Sequence, residues 1–261
     1  MIQEVRKALA GRKISKLKNK KVLLFDLGVT ICDIPIEPRW KEINHAGIMS
    51  VFLKLGLDEK LSKKRLGELA YGFVASKERL RKLAKENYAE YEIKQQIKVF
   101  LDEAGIKIRL SRKLLYELEM LYVWPELEIS ELFDGAAHVL KKLKKTHQMY
   151  ILSNNVSSVL VREILKKHRI GGYFNGVFVS ADLGMRKPDV RFLENTLKTI
   201  SASPEDCIII GDRLNQDIIM ANRMNISSVF VSIKEHVDNT SAGKITYDTK
   251  ISSLHDLARI L

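Results

Sequence analysis

Cysteine is scarce in this chain: Cys32 and Cys207 stand far apart and in no spacing that ligates a metal. A disulfide framework and a cysteine-built zinc site are therefore excluded, and the two read as reduced thiols of a cytoplasmic protein. Long hydrophobic runs are lacking as well. No apolar stretch approaches the roughly 18 residues that a spanning helix needs, so no membrane protein and no membrane partner is expected. The basic N-terminus lacks the apolar stretch and small-residue cleavage site of a secretory signal. Internal repeats, low-complexity regions, zinc fingers and the aromatic signature of RNA-binding sheets are absent too.

Positive charge is what the chain has in excess, with a formal net charge of +12. A basic field gathers anions such as phosphorylated metabolites, nucleic acids or acidic membrane surfaces. The clusters KISKLKNKK, KKR (63–65), KERLRKLAKE (77–86) and KKLKK (141–145) stand mostly at helical spacing beside leucines. That is the pattern of solvated helix faces. With no nucleic-acid motif beside them, they argue against a nucleic-acid partner. A basic extension over residues 1–20 carries Ile2, Val5 and Leu9, expected on a short helix packed against the body.

From Lys21 onward, short apolar strands alternate with amphipathic helices, which predicts βαβ units on a parallel sheet. The strands are VLLFD (22–26), MYILS (149–153), GVFVS (176–180), CIIIGD (207–212) and SVFVS (228–232). Their near-continuous apolar character fits strands covered on both faces. Helices are expected near 135–146, 156–168, 189–200, 215–224 and 253–260, and Asn225 stands where a left-handed residue often ends a helix. Between Pro35 and Phe133 the alternation stops and only helical patterns appear. A hundred such residues exceed any ordinary crossover. The expected architecture is α/β: a doubly wound, Rossmann-like core (21–34 and 134–261) with an inserted all-helical cap domain (35–133).

Ligands of an open parallel sheet bind beyond the carboxyl ends of its strands, where helix N-termini present free N–H groups. The first strand ends in Asp26, and the second in Ser153 followed by Asn154 and Asn155. The third leads into SADLGMRKPD with Lys187, and the fourth ends in Gly211–Asp212 with Asp217 one turn on. Singly, each could be a cap or a surface charge. Together they place a carboxylate nucleophile, a hydroxyl, a lysine and an acidic pair along one edge.

These motifs, with Thr30 four residues after Asp26, resemble the haloacid dehalogenase-like superfamily, in the branch whose helical cap lies between the first and second motifs. Coverage runs from about Lys21 to the C-terminus. The resemblance implies a Mg²⁺-dependent phosphatase of a small phosphorylated metabolite, such as a sugar phosphate. Asp26 would form an aspartyl-phosphate. Mg²⁺ would be held by Asp26, the carbonyl of Gly28 and Asp212, with Asp217 holding its waters. The Ser153 hydroxyl, the Asn154 N–H and the Lys187 ammonium would bind the phosphate oxygens.

One expected group is missing. Most phosphatases of this superfamily read DxDxT or DxDxV, and the second Asp serves as acid and base; here the sequence is DLGVT, with Gly28 at that position. A positioned proton-transfer group is worth about 10²–10⁴ in rate. The glucose-1-phosphate phosphatase branch is similar in its DLG and LGMRKP segments. Phosphonatases and dehalogenases, or a catalytically weakened member that binds phosphate or polyanions, are the alternatives. Arg39, Trp40 and the SKERLRK tract are candidate substrate contacts, although Trp40 also fits a core position and the tract a wet helix face.

Overall fold

A computed structural model describes residues 15–35, 39–234 and 245–261; Ile2, Val5 and Leu9 lie outside these. The chain runs through β1 (Val22–Phe25) and the two-residue β2 (Cys32–Asp33) into five helices. These are α1 (Trp40–Lys54), α2 (Leu57–Lys60), α3 (Lys63–Asn87), α4 (Ile93–Glu103) and α5 (Arg112–Glu128), followed by a second two-residue strand, β3 (Glu131–Leu132). Strands and helices then alternate: α6 (Ala136–Leu143), β4 (Gln148–Ser153), α7 (Ser158–Lys167), β5 (Gly176–Val179), the single turn α8 (Ser180–Leu183), α9 (Val190–Ile200) and β6 (Cys207–Gly211). The described chain ends with α10 (Ile219–Arg223), β7 (Ser227–Val231), β8 (Thr249–Ile251) and α11 (Leu254–Ile260).

Six strands form one parallel sheet in the order β5-β4-β1-β6-β7-β8. The side-chain period of two sends successive residues of the central strand to opposite faces. Leu23 and Phe25 enter one buried cluster with Met149, Ile151, Ile208 and Ile210, and with α6, α7 and α11. Val22 and Leu24 enter the other with Tyr150, Leu152 and Ile209, against α9 and α10. This double burial explains why the strands read as apolar runs rather than alternations. Leu17, from the basic extension, is fully buried in the first cluster.

Between β2 and β3 the chain is helical, as expected. Ser62 and Ser111 cap α3 and α5 by accepting from Arg65 N and Leu114 N. α1 and α5 pack backbone to backbone at Gly47, where a Cβ would lie 2.3 Å from the Tyr122 carbonyl oxygen. Phe73 packs edge-on against both Phe100 and Tyr122, tying α3 to α4 and α5.

Three features differ from the sequence reading. Glu131–Leu132, inside the stretch read as wholly helical, pairs antiparallel with Cys32–Asp33, joining the two points where the chain leaves and re-enters the core. Two-residue strands carry no periodicity to read. β8 forms a sixth strand from TKI, whose threonine and lysine suit an exposed sheet edge. The helix expected over 215–224 begins as a π-helical turn, Leu214–Ile218, before α10. Asn225 does adopt the left-handed conformation, with φ 52°.

Candidate active site

The register of the sheet sets the site. Phe25 pairs with Ile151 on one side and with Ile210 on the other, so Asp26, Ser153 and Asp212 emerge at the same carboxyl edge. Carboxylate oxygens of Asp26, Asp212 and Asp217 lie within 4.8 Å of one another. Lys187 reaches this cluster from the segment after α8. Its ammonium donates to Asp26 Oδ1 at 2.6 Å, to Asp217 Oδ1 at 2.6 Å and to the Leu152 carbonyl at 2.8 Å.

Local structure holds each group in place. The Asn154 side chain grips the Lys187 backbone twice, accepting from its N–H at 2.8 Å and donating to its carbonyl at 2.9 Å. Gln216 in turn accepts from Asn154 at 3.0 Å. Thr30 donates to Asp212 Oδ1 at 3.1 Å. Asp217 accepts from Arg213 N at 3.0 Å across the π-helical turn. Gly211 makes that approach possible, because a Cβ there would stand 2.4 Å from the Asp217 carboxyl carbon. Inserted π turns recur at functional sites for this reason: the extra residue re-aims a side chain.

The charges are crowded. Burial, partly offset by Lys187 and reinforced by Asp212, raises Asp26 to about 6. Burial also raises Asp217, against the pull of Lys187. Burial works against the charge on Lys187, but held between Asp217 and Asp26 it lies above the ordinary lysine range. Asp26 and Asp217 thus share one buried ammonium, while Asp212 has a longer 3.6 Å contact from Arg213. An all-oxygen donor set with surplus negative charge suits a hard divalent cation such as Mg²⁺.

Above the cluster is a cavity of about 470 Å³ lined by both the sheet edge and the helical insertion. Asp26, Gly28, Ser153, Asn154 and Asp212 line its floor. A side chain at position 28 would have room, since a Cβ there meets only Ile34 Cδ1 at 3.9 Å. Trp40 lines the wall beneath Arg81, whose guanidinium lies 5.4 Å from its ring centroid. The tract read as a wet helix face therefore has a second side: Lys77, Arg81 and Lys85 of α3 all line the cavity. Arg39 instead pairs with Glu42 on the surface.

The segment after α3 docks on the lysine loop. Ala89 bridges Met185, Glu90 N donates to the Gly184 carbonyl at 3.0 Å, and Arg186 N donates to the Tyr88 carbonyl at 3.0 Å. Ser180 donates to the buried Glu90 carboxylate at 2.7 Å. Nothing in the sequence signals this contact, because its two halves lie about a hundred residues apart.

Residues 20–225 match the family model of the haloacid dehalogenase-like hydrolases. The chain belongs to this family. Among curated members it is 24% identical over 168 residues to a glyceraldehyde 3-phosphate phosphatase of Methanothermobacter thermautotrophicus, covering 61% of this chain and 70% of that one. It is 29% identical over 126 residues to the pyrimidine 5'-nucleotidase PynA of Streptococcus pneumoniae, covering 48% and 52%. The chain thus spans about half the length of some curated relatives it matches. Among solved structures, YfnB of Bacillus subtilis, a HAD-hydrolase bound to magnesium, superposes with TM-score 0.60 at 21% identity, covering 93% of this chain and 98% of that one. A 2-haloacid dehalogenase of Pseudomonas syringae superposes with TM-score 0.66 at 18% identity, covering 92% and 97%. These two likenesses establish the haloacid dehalogenase-like fold of core and helical insertion. Among the described residues, no helix is long and apolar enough to cross a membrane.

Proposed function

We propose that this chain is a phosphatase of small phosphomonoesters that works through an aspartyl-phosphate on Asp26. The observation that carries the reading is the juxtaposition of Asp26 with Lys187, Asp212 and Asp217 on the floor of a cavity that the helical insertion covers. The phosphatase names of the curated relatives support the reaction class.

The phosphate enters beside Ser153, the Asn154 N–H and the Lys187 ammonium, which face the charge that spreads over its non-bridging oxygens. The Asp26 carboxylate forms a bond to phosphorus as the bond to the leaving oxygen breaks. That oxygen takes its proton from water, because residue 28 offers no carboxyl group. Water then attacks the aspartyl-phosphate, releasing inorganic phosphate and the free carboxylate. Asp26, the Gly28 carbonyl and Asp212, with Asp217 behind them, would hold Mg²⁺, which supplies the positive charge that lets two anions meet. Asn154 and Gln216 keep the lysine loop in register, and the helical cap excludes bulk water.

The test is hydrolysis of p-nitrophenyl phosphate and a panel of phosphorylated metabolites by purified protein with Mg²⁺. Wild type should turn over several of them, and Asp26→Asn should lose activity by roughly 10³-fold or more. Undiminished hydrolysis by Asp26→Asn would overturn the proposal.

A further inference from the structure

The cavity roof contains a group that the phosphate chemistry leaves unused. Lys77 of α3 is only 9% exposed, yet it lines the cavity whose floor is Asp26. Among the described residues its ammonium makes no hydrogen bond and no ion pair within 4 Å; its near neighbour is the Tyr122 ring, 4.9 Å from nitrogen to centroid. An ammonium carries three donor hydrogens, and in a side chain this buried they can be met only from the cavity that Lys77 lines. The fold nevertheless keeps it there.

The surroundings say what it awaits. Glu126 and Glu90 act on Lys77 by charge at longer range, and Arg81, one turn along α3, adds a like charge. Glu90 is already engaged by Ser180 and Arg186, and Asp33, another carboxylate of the lining, by Lys234. Glu126 is a further carboxylate of the lining, beyond 4 Å from the Lys77 ammonium. Lys77 therefore faces the cavity with no acceptor of its own, while the acidic floor is matched by Lys187 and the cation it would hold.

We propose that Lys77 is the specificity-determining residue of the cap: it binds a carboxylate on the leaving-group side of the substrate, so that the preferred substrates are phosphorylated carboxylic acids rather than neutral sugar or polyol phosphates. A single ammonium matches a single monoanion, and the Tyr122 ring behind it confines the approach to the cavity side. The inference rests on the Asp26 reading only for the position of the phosphate.

Binding of non-hydrolysable phosphonates tests it without turnover. Calorimetry with Mg²⁺ compares phosphonoacetate, which has the carboxylate, with 2-hydroxyethylphosphonate, which has a neutral hydroxyl, and with methylenebisphosphonate, which has a second phosphonate. Wild type should favour phosphonoacetate over the hydroxyl ligand by about 10- to 100-fold, the range of one charge-assisted hydrogen bond. Lys77→Met should bring that ratio near one, Lys77→Arg should restore most of it, and Glu126→Gln should raise it. A wild-type ratio near one, a ratio indifferent to Lys77→Met, or a Lys77-dependent preference for the bisphosphonate would overturn the proposal. Because the readout is binding, selectivity without hydrolysis would sink the catalytic reading and leave this one standing, and hydrolysis without selectivity would do the reverse.

Discussion

Restoring a carboxyl group at position 28 probes the most unusual feature of the site. Gly28→Asp places an acid on the cavity floor, where its Cβ would make one ordinary contact, 3.9 Å to Ile34 Cδ1. The Cβ itself therefore meets no clash. A positioned general acid is worth about 10²–10⁴ in rate, or about 3–5 kcal/mol of barrier. The gain belongs at the lower end, about 10², because the new group joins a floor already crowded by Asp26 and Asp212 and has no partners arranged to orient it. It should appear in kcat/KM for alkyl phosphates, whose leaving oxygen is strongly basic. For p-nitrophenyl phosphate, whose leaving group departs readily as an anion, the gain should stay below about tenfold. Steady-state kinetics on one alkyl and one aryl ester decide it. Equal gains on both, or equal losses, would refute the reasoning.

Other perturbations follow from the same geometry. Lys187→Met removes the one buried ammonium shared by Asp26 and Asp217, so urea unfolding of metal-free protein should show a loss of about 3–5 kcal/mol. Millimolar Mg²⁺ should recover part of it, and no recovery would argue against a cation among these carboxylates. Gly211→Ala puts a methyl 2.4 Å from the Asp217 carboxyl carbon; displacing a group by about 1 Å costs on the order of 10²-fold in kcat/KM, and an unaffected rate would show that the position of Asp217 is immaterial. The preference for phosphonoacetate should depend on pH. Burial, opposed by Glu126 and Glu90 and aided by Arg81, lowers Lys77 to about 8, so its charge is lost as pH rises through that value. Burial, opposed by Lys77, raises Glu126 to about 7, so a repelling carboxylate forms over the adjoining range. Both effects act in one direction: the preference should be full below about pH 6, fall through pH 7 to 8 and be largely gone by about pH 9, and a flat profile would contradict it.

The core of the fold is legible in the sequence because its strands are buried on both faces. Runs such as VLLF and CIII have no other stable place, and a polar residue ending each run marks the carboxyl edge. For that reason Asp26, Ser153, Lys187, Asp212 and Asp217 can be gathered at one edge from the order of the residues alone. The edge strand β8 is not legible because TKI is neither apolar nor alternating, and the β2–β3 pair because two residues have no period. The π turn at Leu214–Ile218 depends on Gly211 and Asp217 meeting across a loop, a contact with no local signature. Lys77 is hidden differently. In the sequence it belongs to a run of lysines and arginines, and only its contact with the Tyr122 ring of α5 separates this buried ammonium from the exposed charges beside it. Thr30 and Gln216 are likewise visible as residues, but the groups they hold, Asp212 and Asn154, can be assigned only from the assembled edge.

Every step of the proposed reaction requires the carboxylate of Asp26 to become covalently phosphorylated. Rapid acid quench of the enzyme during turnover, followed by mass spectrometry of the peptide that contains residue 26, measures this in one step. A phosphoryl group on Asp26, lost on further incubation as free phosphate appears, is the predicted result. Phosphate release with Asp26 unmodified at every quench time, in a protein whose Asp26→Asn variant still turns over, would contradict it.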